Sequence, residues 1–223
     1  MNFILILLTF LFSTLTYAGD PNLEAVLQKL QKNYENISSF SADFEQTYSH
    51  KIFKKVNTSS GKVAYKKPGR MRFDYENPSV KSFIVDGKSL WIYQKEDKSA
   101  FVDRCFKQDG LTASIAFLWG LGKIKKQFEV SWSEPPSKDS PDFHLALTPK
   151  EKNSIFKQLI LVVDGKNYQV KQSTLVDLEG NKNQFAFKNL LLNPKKMRAS
   201  FAFIPPKGTH VSNLPGSCAI PSP

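Results

Sequence analysis

The sequence has few of the residues on which disulfide-rich scaffolds and metal centres depend. Its 223 residues include only two cysteines and three histidines. Two cysteines exclude the set of bridges that stabilises a disulfide-rich miniprotein, and three scattered histidines leave little material for a metal site. We therefore expect neither a disulfide scaffold nor a metal site, and we expect no cofactor.

Motifs of catalysis are also lacking. The sequence contains no HExxH, CxxC, phosphate-binding glycine loop or calcium loop. Residues 87–91 (GKSLW) lack the second glycine of a nucleophile elbow, and His50, His144 and His210 are far apart along the chain. A triad assembled only by the tertiary structure is the alternative. The pattern predicts a protein that is not an enzyme.

An apolar run at the N-terminus is too short to span a bilayer. Residues 3–15 are almost wholly apolar, and Thr16-Tyr17-Ala18 follows with a small last residue. This is typical of a secretory signal peptide, and a buried N-terminal helix is the alternative. We predict that residues 1–18 are removed on export. Because no cysteine lies at the cleavage point, we do not expect a lipid anchor there.

Acidic residues are in the minority. Lysine and arginine total 31 against 20 aspartate and glutamate residues, so the formal net charge is +11. Such a charge attracts acidic partners over long distances. An exported protein rarely meets nucleic acid, and the chain lacks nucleic-acid-binding motifs. Anionic lipid headgroups or an acidic protein are the expected partners, and a solvated basic surface without a partner is the alternative.

Hydrophobic periodicity predicts one amphipathic helix and then many strands. Asp20-Pro21 is the predicted helix start, and apolar residues from Leu23 to Ile37 recur at helical spacing. From Phe40 the period changes to two, and short alternating runs separated by turn residues continue to residue 104. Residues 111–128 return to helical spacing. Strands resume at residue 129, and the last is predicted at residues 198–203.

The elements predict a single mature domain. Roughly a dozen strands and two helical segments occur without a repeat or a linker. Hairpin turns are expected at Asp164-Gly165 and at residues 179–181. The predicted fold is mainly β with some helix, a single curved antiparallel sheet with helices laid across it. It comprises residues 19–208, and residues 209–223 are expected to be an irregular tail.

Aromatic residues are plentiful, including 18 phenylalanines. Several predicted strands carry them on one face. A curved sheet with such a face is either covered by helices to make a filled core, or left with a cavity for an acyl chain. Composition does not separate these two outcomes.

Five segments in order resemble the LolA family of periplasmic outer-membrane lipoprotein carriers. The longest is GKVAYKKPGRMRFDY at residues 61–75, followed by DGKSLWIY at residues 86–93. The others are residues 40–46 (FSADFEQ), the hairpin at residues 177–193 and residues 201–208 (FAFIPPKG). Together they extend over nearly the whole mature chain.

The resemblance implies an incomplete β-barrel closed by a helical lid, as in LolA and LolB. Such carriers shield the acyl chains of lipoproteins in the periplasm. They accept this cargo from an inner-membrane lipoprotein-releasing ABC transporter and deliver it to an outer-membrane receptor. We expect the same partners for this protein, and a monomer. The alternatives are a general lipid or glycolipid carrier, a lipid-sensing periplasmic regulator of the same fold, and an esterase.

Strand parity and the resemblance together predict the residues that contact cargo. Those expected to line the acyl-chain cavity are Phe44, Val63, Tyr65, Met71, Phe73, Phe83, Val85, Leu90 and Ile92. Those expected in the lid are Leu27, Leu30, Ile115, Leu118 and Leu121. Ordinary core packing is the alternative for each of them.

Family members hold the lid shut with an arginine before the turn proline, a place that Lys67 occupies here, with Arg70 and Arg72 close behind. A lysine offers a point charge rather than a fork of donors, and a solvated basic turn is the alternative.

Cys105 and Cys218 would meet an oxidising compartment, and their even number favours one bridge over two free thiols.

Overall fold

The computed structural model describes residues 22–106, 123–137 and 139–218. The predicted signal peptide and most of the second helical segment lie outside these residues. The helices are α1 (Leu23–Glu35) and α2 (Ile124–Gln127). The strands are β1 (Ser39–Ser49), β2 (Val56–Lys66), β3 (Arg70–Asn77), β4 (Lys81–Asp86), β5 (Leu90–Gln94), β6 (Ser99–Asp103), β7 (Phe128–Glu134), β8 (Phe143–Pro149), β9 (Phe156–Val163), β10 (Val170–Asp177), β11 (Lys182–Leu192) and β12 (His210–Asn213).

All twelve strands belong to one sheet. Its order is β12-β6-β5-β4-β3-β2-β1-β11-β10-β9-β8-β7, so β12 and β7 are the two edges and the sheet does not close into a barrel. Neighbours are antiparallel except β12 and β6, which are parallel. The predicted fold class, an open curved sheet with helices across it, is confirmed. Both predicted hairpin turns are found, between β9 and β10 and between β10 and β11.

Helix α1 begins later than its sequence predicts. Asn22 is the N-cap, and its Oδ1 accepts a hydrogen bond of 2.8 Å from the Glu24 backbone N–H. The prediction of Asp20-Pro21 as the helix start is wrong, because Asn22 has a capping side chain and extended backbone angles. Neither α1 nor α2 is both long and apolar enough to cross a membrane.

The sheet buries apolar side chains on both faces. The larger cluster lies on the inner face, where the apolar stripe of α1 packs against the strands. A smaller cluster on the outer face contains Ile84, Trp91, Ala100 and Val102. Phe203 covers this cluster, with its ring centroid 5.4 Å from that of Trp91. In the part of the chain that the structure describes, α1 covers the inner face and the C-terminal segment covers the outer patch.

The C-terminal segment corrects two predictions. Residues 198–203 are not a strand, although their side chains alternate between half-buried and exposed. The alternation arises because every second side chain faces the outer surface of the sheet, without a neighbouring strand to pair with. The tail expected to be irregular instead contributes β12, because the free backbone groups of β6 accept a partner strand.

One disulfide fastens this tail. Cys105 and Cys218 are bonded, with their Cα atoms 5.8 Å apart. Cys105 follows the end of β6, and Cys218 follows β12. The bridge therefore links the ends of these two neighbouring strands covalently. It joins positions 113 residues apart in sequence.

The close approach of β2 and β3 depends on Gly61. A Cβ atom at this position would lie 1.9 Å from the backbone oxygen of Asp74, far inside van der Waals contact. We expect Gly61→Ala to lower the free energy of unfolding by about 1–3 kcal/mol, because the strands must separate to accept the methyl group. Urea unfolding measures this, with Ser59→Ala in the same strand as the control. Equal midpoints for the two variants would contradict the prediction.

We expect the disulfide to be complete in freshly purified mature protein. Under denaturing conditions without reductant, an alkylating reagent should leave the intact mass unchanged. After reduction the same reagent should add two groups, one at Cys105 and one at Cys218. Mass spectrometry makes the comparison, and labelled thiols before reduction would exclude the bridge.

Candidate functional site: the inner face of the sheet

The inner face is built from side chains that strand register aligns in rows. One row contains Phe40, Tyr65, Met71, Val85 and Leu90 on five neighbouring strands. The next contains Ala42, Val63, Phe73, Phe83 and Ile92. Because alternate residues of a strand point to the same face, the two rows form one continuous apolar surface. No charged side chain belongs to either row.

Aromatic rings extend this surface beside the rows. The Phe44 ring lies at the centre of the group, with its centroid 5.3 Å from that of Phe73 and 4.9 Å from that of Tyr75. Phe185 from β11 lies 5.8 Å from both Phe44 and Phe73. These distances are typical of edge-on and tilted ring packing. At the rim, the ammonium of Lys81 lies 4.7 Å from the centroid of the Tyr75 ring.

Helix α1 covers part of the inner face. Leu27 and Leu30 are 5% and 0% exposed and belong to the same apolar cluster as the rows. A crevice remains between the end of α1 and strands β1, β10 and β11. Its lining is almost entirely apolar and comprises Tyr34, Ile37, Phe40, Val170, Phe187, Leu190 and Leu192. It has room for about one water molecule at most, so the helix lies closed on the sheet here.

The structure places the predicted cavity residues as follows. Phe44, Val63, Tyr65, Met71, Phe73 and Val85 are all buried in the cluster that contains Leu27 and Leu30. Phe83 and Leu90 are partly buried and pack against this cluster. Ile92 is aligned with Phe83 but is only partly buried and is not a member. The predicted lid residues Ile115, Leu118 and Leu121 lie outside the described residues.

Lys67 of the β2–β3 turn lies apart from Arg70 and Arg72, which belong to β3. The Lys67 ammonium donates a hydrogen bond of 3.4 Å to the carbonyl oxygen of Glu35, the last residue of α1. Arg70 lines a cleft on the outer side. Arg72 also faces outward, where its Nε lies 2.6 Å from the Asp74 carboxylate and its Nη1 donates to the carbonyl oxygen of Ser200. Among these three residues, the contact with α1 belongs to Lys67.

Asn193, whose role the sequence analysis missed, fastens the end of α1 to the sheet. Its Oδ1 accepts hydrogen bonds from the backbone N–H groups of Ser38 and Ser39, at 2.8 and 3.1 Å, and from the Ser38 hydroxyl. Its Nδ2 donates to the carbonyl oxygen of Asn36. A lone asparagine after a strand gives little signal in sequence, because the same residue is common in ordinary turns.

A second attachment joins the middle of α1 to the β9–β10 turn. The Lys29 ammonium donates to the Tyr168 hydroxyl at 3.0 Å, and Asn33 Nδ2 donates to the carbonyl oxygen of Asn167 at 2.7 Å. Near the helix start, Lys125 of α2 forms an ion pair with Glu24. Most of these polar contacts lie at the surface, where each contributes little free energy. Helix α1 is therefore held chiefly by its apolar side.

The ionisable groups of the inner face are tyrosines that burial keeps neutral. Burial raises the pKa of Tyr65 and of Tyr75 to about 12, and it raises the pKa of Tyr34 as well. The Tyr75 hydroxyl donates to Gln46 Oε1 at 2.8 Å. Within the described ranges, no group of three or more histidine, cysteine, aspartate or glutamate side chains is arranged to hold a metal ion. The surface is suited to apolar ligands.

Sequence comparison assigns this architecture to a known family. Residues 35–204 match the family model described as outer membrane lipoprotein carrier protein LolA. The chain belongs to the LolA family. The family model thus includes both rows of the inner face, the Lys67 turn and Asn193.

Curated relatives of this LolA-family chain agree with the match. An outer-membrane lipoprotein carrier protein of Chromobacterium violaceum is 29% identical over 86% of this chain and 89% of its own. A protein of the same name from Cupriavidus pinatubonensis is 30% identical over 85% and 88%. Among solved structures, an uncharacterized conserved protein from Thermus thermophilus has a TM-score of 0.51 at 10% identity, over 86% of this chain and 98% of its own. That likeness concerns the fold alone.

The tyrosines of the inner face predict a loss of stability in alkali. An unfolded tyrosine releases its proton near pH 10, whereas folded Tyr65 holds it to about pH 12. The contribution of buried, neutral Tyr65 to the free energy of unfolding is complete below pH 10. It decreases as the pH rises from 10 to 12, because the unfolded state loses the proton first. We expect Tyr65→Phe to lose less stability than the wild type over this interval in urea unfolding. Parallel losses would show that Tyr65 is not shielded.

Proposed function

We propose that this protein is a periplasmic carrier that shields the acyl chains of lipoproteins between the inner face of the sheet and α1. The observation that carries the proposal is the continuous, uncharged apolar surface of an open sheet, with a helix laid over it. The lipoprotein carriers among its curated relatives support the same role. Cargo would come from an inner-membrane ABC transporter and pass to an outer-membrane receptor, with the carrier acting as a monomer.

The predicted signal peptide supports a periplasmic location. Residues 1–18 have the apolar run and small terminal residue of an exported precursor. Acyl chains crossing this aqueous compartment need shielding, because each exposed methylene costs about 0.8 kcal/mol. The carrier has no enzymatic step in this scheme; binding and release suffice.

Loading requires α1 to move, and the energies allow it. Burial of Val26, Leu27, Leu30 and Tyr34 holds the helix on the sheet. At about 1.5–3 kcal/mol for each side chain, complete detachment costs about 6–12 kcal/mol. An acyl chain of about sixteen carbons gains about 12 kcal/mol when it is buried. Acyl chains can thus replace the helix on the inner face, and the small difference keeps the cargo releasable.

Lys67 is the proposed latch of this lid. Its bond to Glu35 places a positive charge at the C-terminal end of α1, where the helix dipole favours a cation. The contact is long and partly exposed, so it biases the closed state by a modest amount. Arg70 and Arg72 are assigned to the outer side instead.

A general lipid carrier is the second candidate, and the two rows of the inner face favour it. They carry only apolar and tyrosine side chains, so nothing in them distinguishes the acyl chains of a lipoprotein from those of a phospholipid. Selectivity for lipoproteins would then depend on groups at the rim, such as Lys81.

Titration with a fluorescent triacylated lipopeptide tests the proposal. We expect saturable binding of the lipopeptide by the mature protein, and none of its unacylated twin, because the acyl chains supply the binding energy. Phospholipid titrated in parallel separates the two candidates, since equal affinity would favour the general lipid carrier. No binding of any acylated ligand would show that the inner face is a filled core.

Paired core variants locate the binding face. Met71→Ala opens space on the inner face, and Ile84→Ala does so on the outer face of the adjacent strand. Both should cost about 2–5 kcal/mol in stability. We expect only Met71→Ala to change lipopeptide affinity, by about threefold or more, because Ile84 does not touch cargo. Equal affinities in the two variants would remove Met71 from the site.

The latch predicts a kinetic change. We expect Lys67→Ala to accelerate lipopeptide binding by about twofold to fivefold and to leave release nearly unchanged, because the closed, empty state loses one weak hydrogen bond that is absent once cargo has displaced α1. Stopped-flow fluorescence measures both rates, and Lys66→Ala on the adjacent exposed residue is the control. Rates identical to the wild type would leave Lys67 as a solvated turn residue.

A further inference from the structure

Among the described residues, four of the ten exposed large hydrophobic side chains lie at one end of the sheet. Ile52 and Phe53, in the β1–β2 turn, are 72% and 75% exposed. Leu178, in the β10–β11 turn, is 68% exposed, and Ile155, before β9, is 74% exposed. These four residues are here called the tip surface. Scattered exposed hydrophobics are ordinary on proteins, but a contiguous group marks an interaction site.

The topology makes the tip surface contiguous. The last residue of β1, Ser49, pairs with Lys182 at the start of β11, which places the two turns side by side. The backbone N–H of Lys51 donates to Asn181 Oδ1 at 3.0 Å and ties them together. In the next strand, Phe156 pairs with Asp177, so Ile155 lies beside Leu178. The tip surface therefore runs over the ends of neighbouring strands.

The β1–β2 turn holds its two apolar residues outward. The His50 backbone N–H donates to the carbonyl oxygen of Lys55 at 2.8 Å and closes the turn. The Phe53 backbone N–H donates to His50 Nδ1, and the two rings lie 4.5 Å apart. The pairing of Ser60 with Asn77 ends the contact with β3, and the hairpin continues beyond it to the turn. The apolar residues thus occupy the apex of a hairpin that extends past the end of β3 and lies beside the β10–β11 turn.

Positive charge surrounds the apex. Lys51, Lys54 and Lys55 flank Ile52 and Phe53, and residues 50–56 include no acidic side chain. The acidic groups of the neighbouring turn, half-buried Asp177 and exposed Glu179, form hydrogen bonds with Asn181. Asp177 accepts from the backbone N–H and the side-chain amide of Asn181, both at 2.8 Å, and the same amide donates to Glu179.

We propose that the tip surface is a contact site for an anionic lipid bilayer. Apolar side chains on a convex hairpin enter the interfacial layer of a membrane, and the lysines beside them pair with lipid phosphates. A projecting apex that mixes lysine with isoleucine and phenylalanine fits this soft, negatively charged surface. The tip surface is at the opposite end of β1 from the Lys67 turn, so the contact leaves the proposed latch accessible.

Vesicle binding tests this proposal without any cargo. The mature chain, residues 19–223, is incubated with vesicles of phosphatidylcholine alone or with added phosphatidylglycerol, and bound protein is measured by sedimentation. Omitting residues 1–18 removes an apolar segment that would bind membranes by itself. We expect binding only to the phosphatidylglycerol vesicles, and weaker binding as salt rises. Absence of binding to these vesicles would overturn the proposal.

Matched variants locate the contact. Ile52→Ser with Phe53→Ser should weaken vesicle binding about tenfold or more, whereas Ile204→Ser, at a residue 86% exposed on the C-terminal segment, should leave it unchanged. The double variant Lys54→Glu with Lys55→Glu should weaken binding to the anionic vesicles, and each of the two substitutions should contribute a factor of more than about five. Circular dichroism confirms that each variant is folded, since the altered side chains lie outside the core.

The charge control uses the outer cleft that Lys195 and Lys196 line together with Arg70. Lys195→Glu with Lys196→Glu should retain wild-type binding to the anionic vesicles. If this pair abolishes binding while the tip variants retain it, the cleft is the membrane contact and the proposal is wrong. The proposal does not depend on lipoprotein carriage, because vesicle binding and lipopeptide binding are measured separately.

Discussion

An open sheet with an apolar inner face must be shielded from water, and much of the structure depends on this constraint. The twelve-stranded sheet does not close into a barrel, so Tyr65, Met71 and Phe73 would be exposed to water if nothing covered them. In the described part of the chain, α1 provides that cover with a stripe of buried residues. Its polar attachments, through Asn193, Tyr168 and Lys67, lie mostly at the surface and add little. The cover is thus stabilised by the same kind of contact that an acyl chain can make.

The outer face of the sheet is covered in a different way from the inner face. There the C-terminal segment lays Phe203 over Trp91, and Arg72 binds the carbonyl oxygen of Ser200. The segment then adds a strand to the sheet edge, and the Cys105–Cys218 bridge fixes its end covalently. Helix α1 has no such covalent bond among the described residues. This asymmetry supports the proposal that the inner face is the one that opens.

Much of the fold follows from local sequence. Period-two alternation predicted eleven of the strands, because one side of each strand is buried and the other is wetter. Strand β2 begins at Val56, six residues before the alternating run predicted at residues 62–66. The predicted hairpin turns were found because glycine and asparagine there adopt turn conformations. The alternating pattern failed at residues 198–203, because alternation reports that a segment lies on a surface and not that it has a neighbouring strand. The helix start at Asn22 was missed because several good capping residues occur in succession.

Some residues of the site could be predicted from local sequence, and others could not. Strand parity predicted that Val63, Met71 and Phe73 share a face, and the register places them in adjacent rows of that face. The pairing of Lys67 with Glu35, and of Asn193 with Ser38, joins residues 32 and 155 positions apart, which no local pattern reveals.

By itself, the sequence determined the alternation, the turns and the family, because these depend on neighbours in the chain. Only the tertiary structure decided which residues cover the sheet, where β12 pairs, and how the two turns of the tip surface meet. The physical reason is that these contacts form between distant segments, and their strength comes from surfaces that exist only after the sheet has assembled.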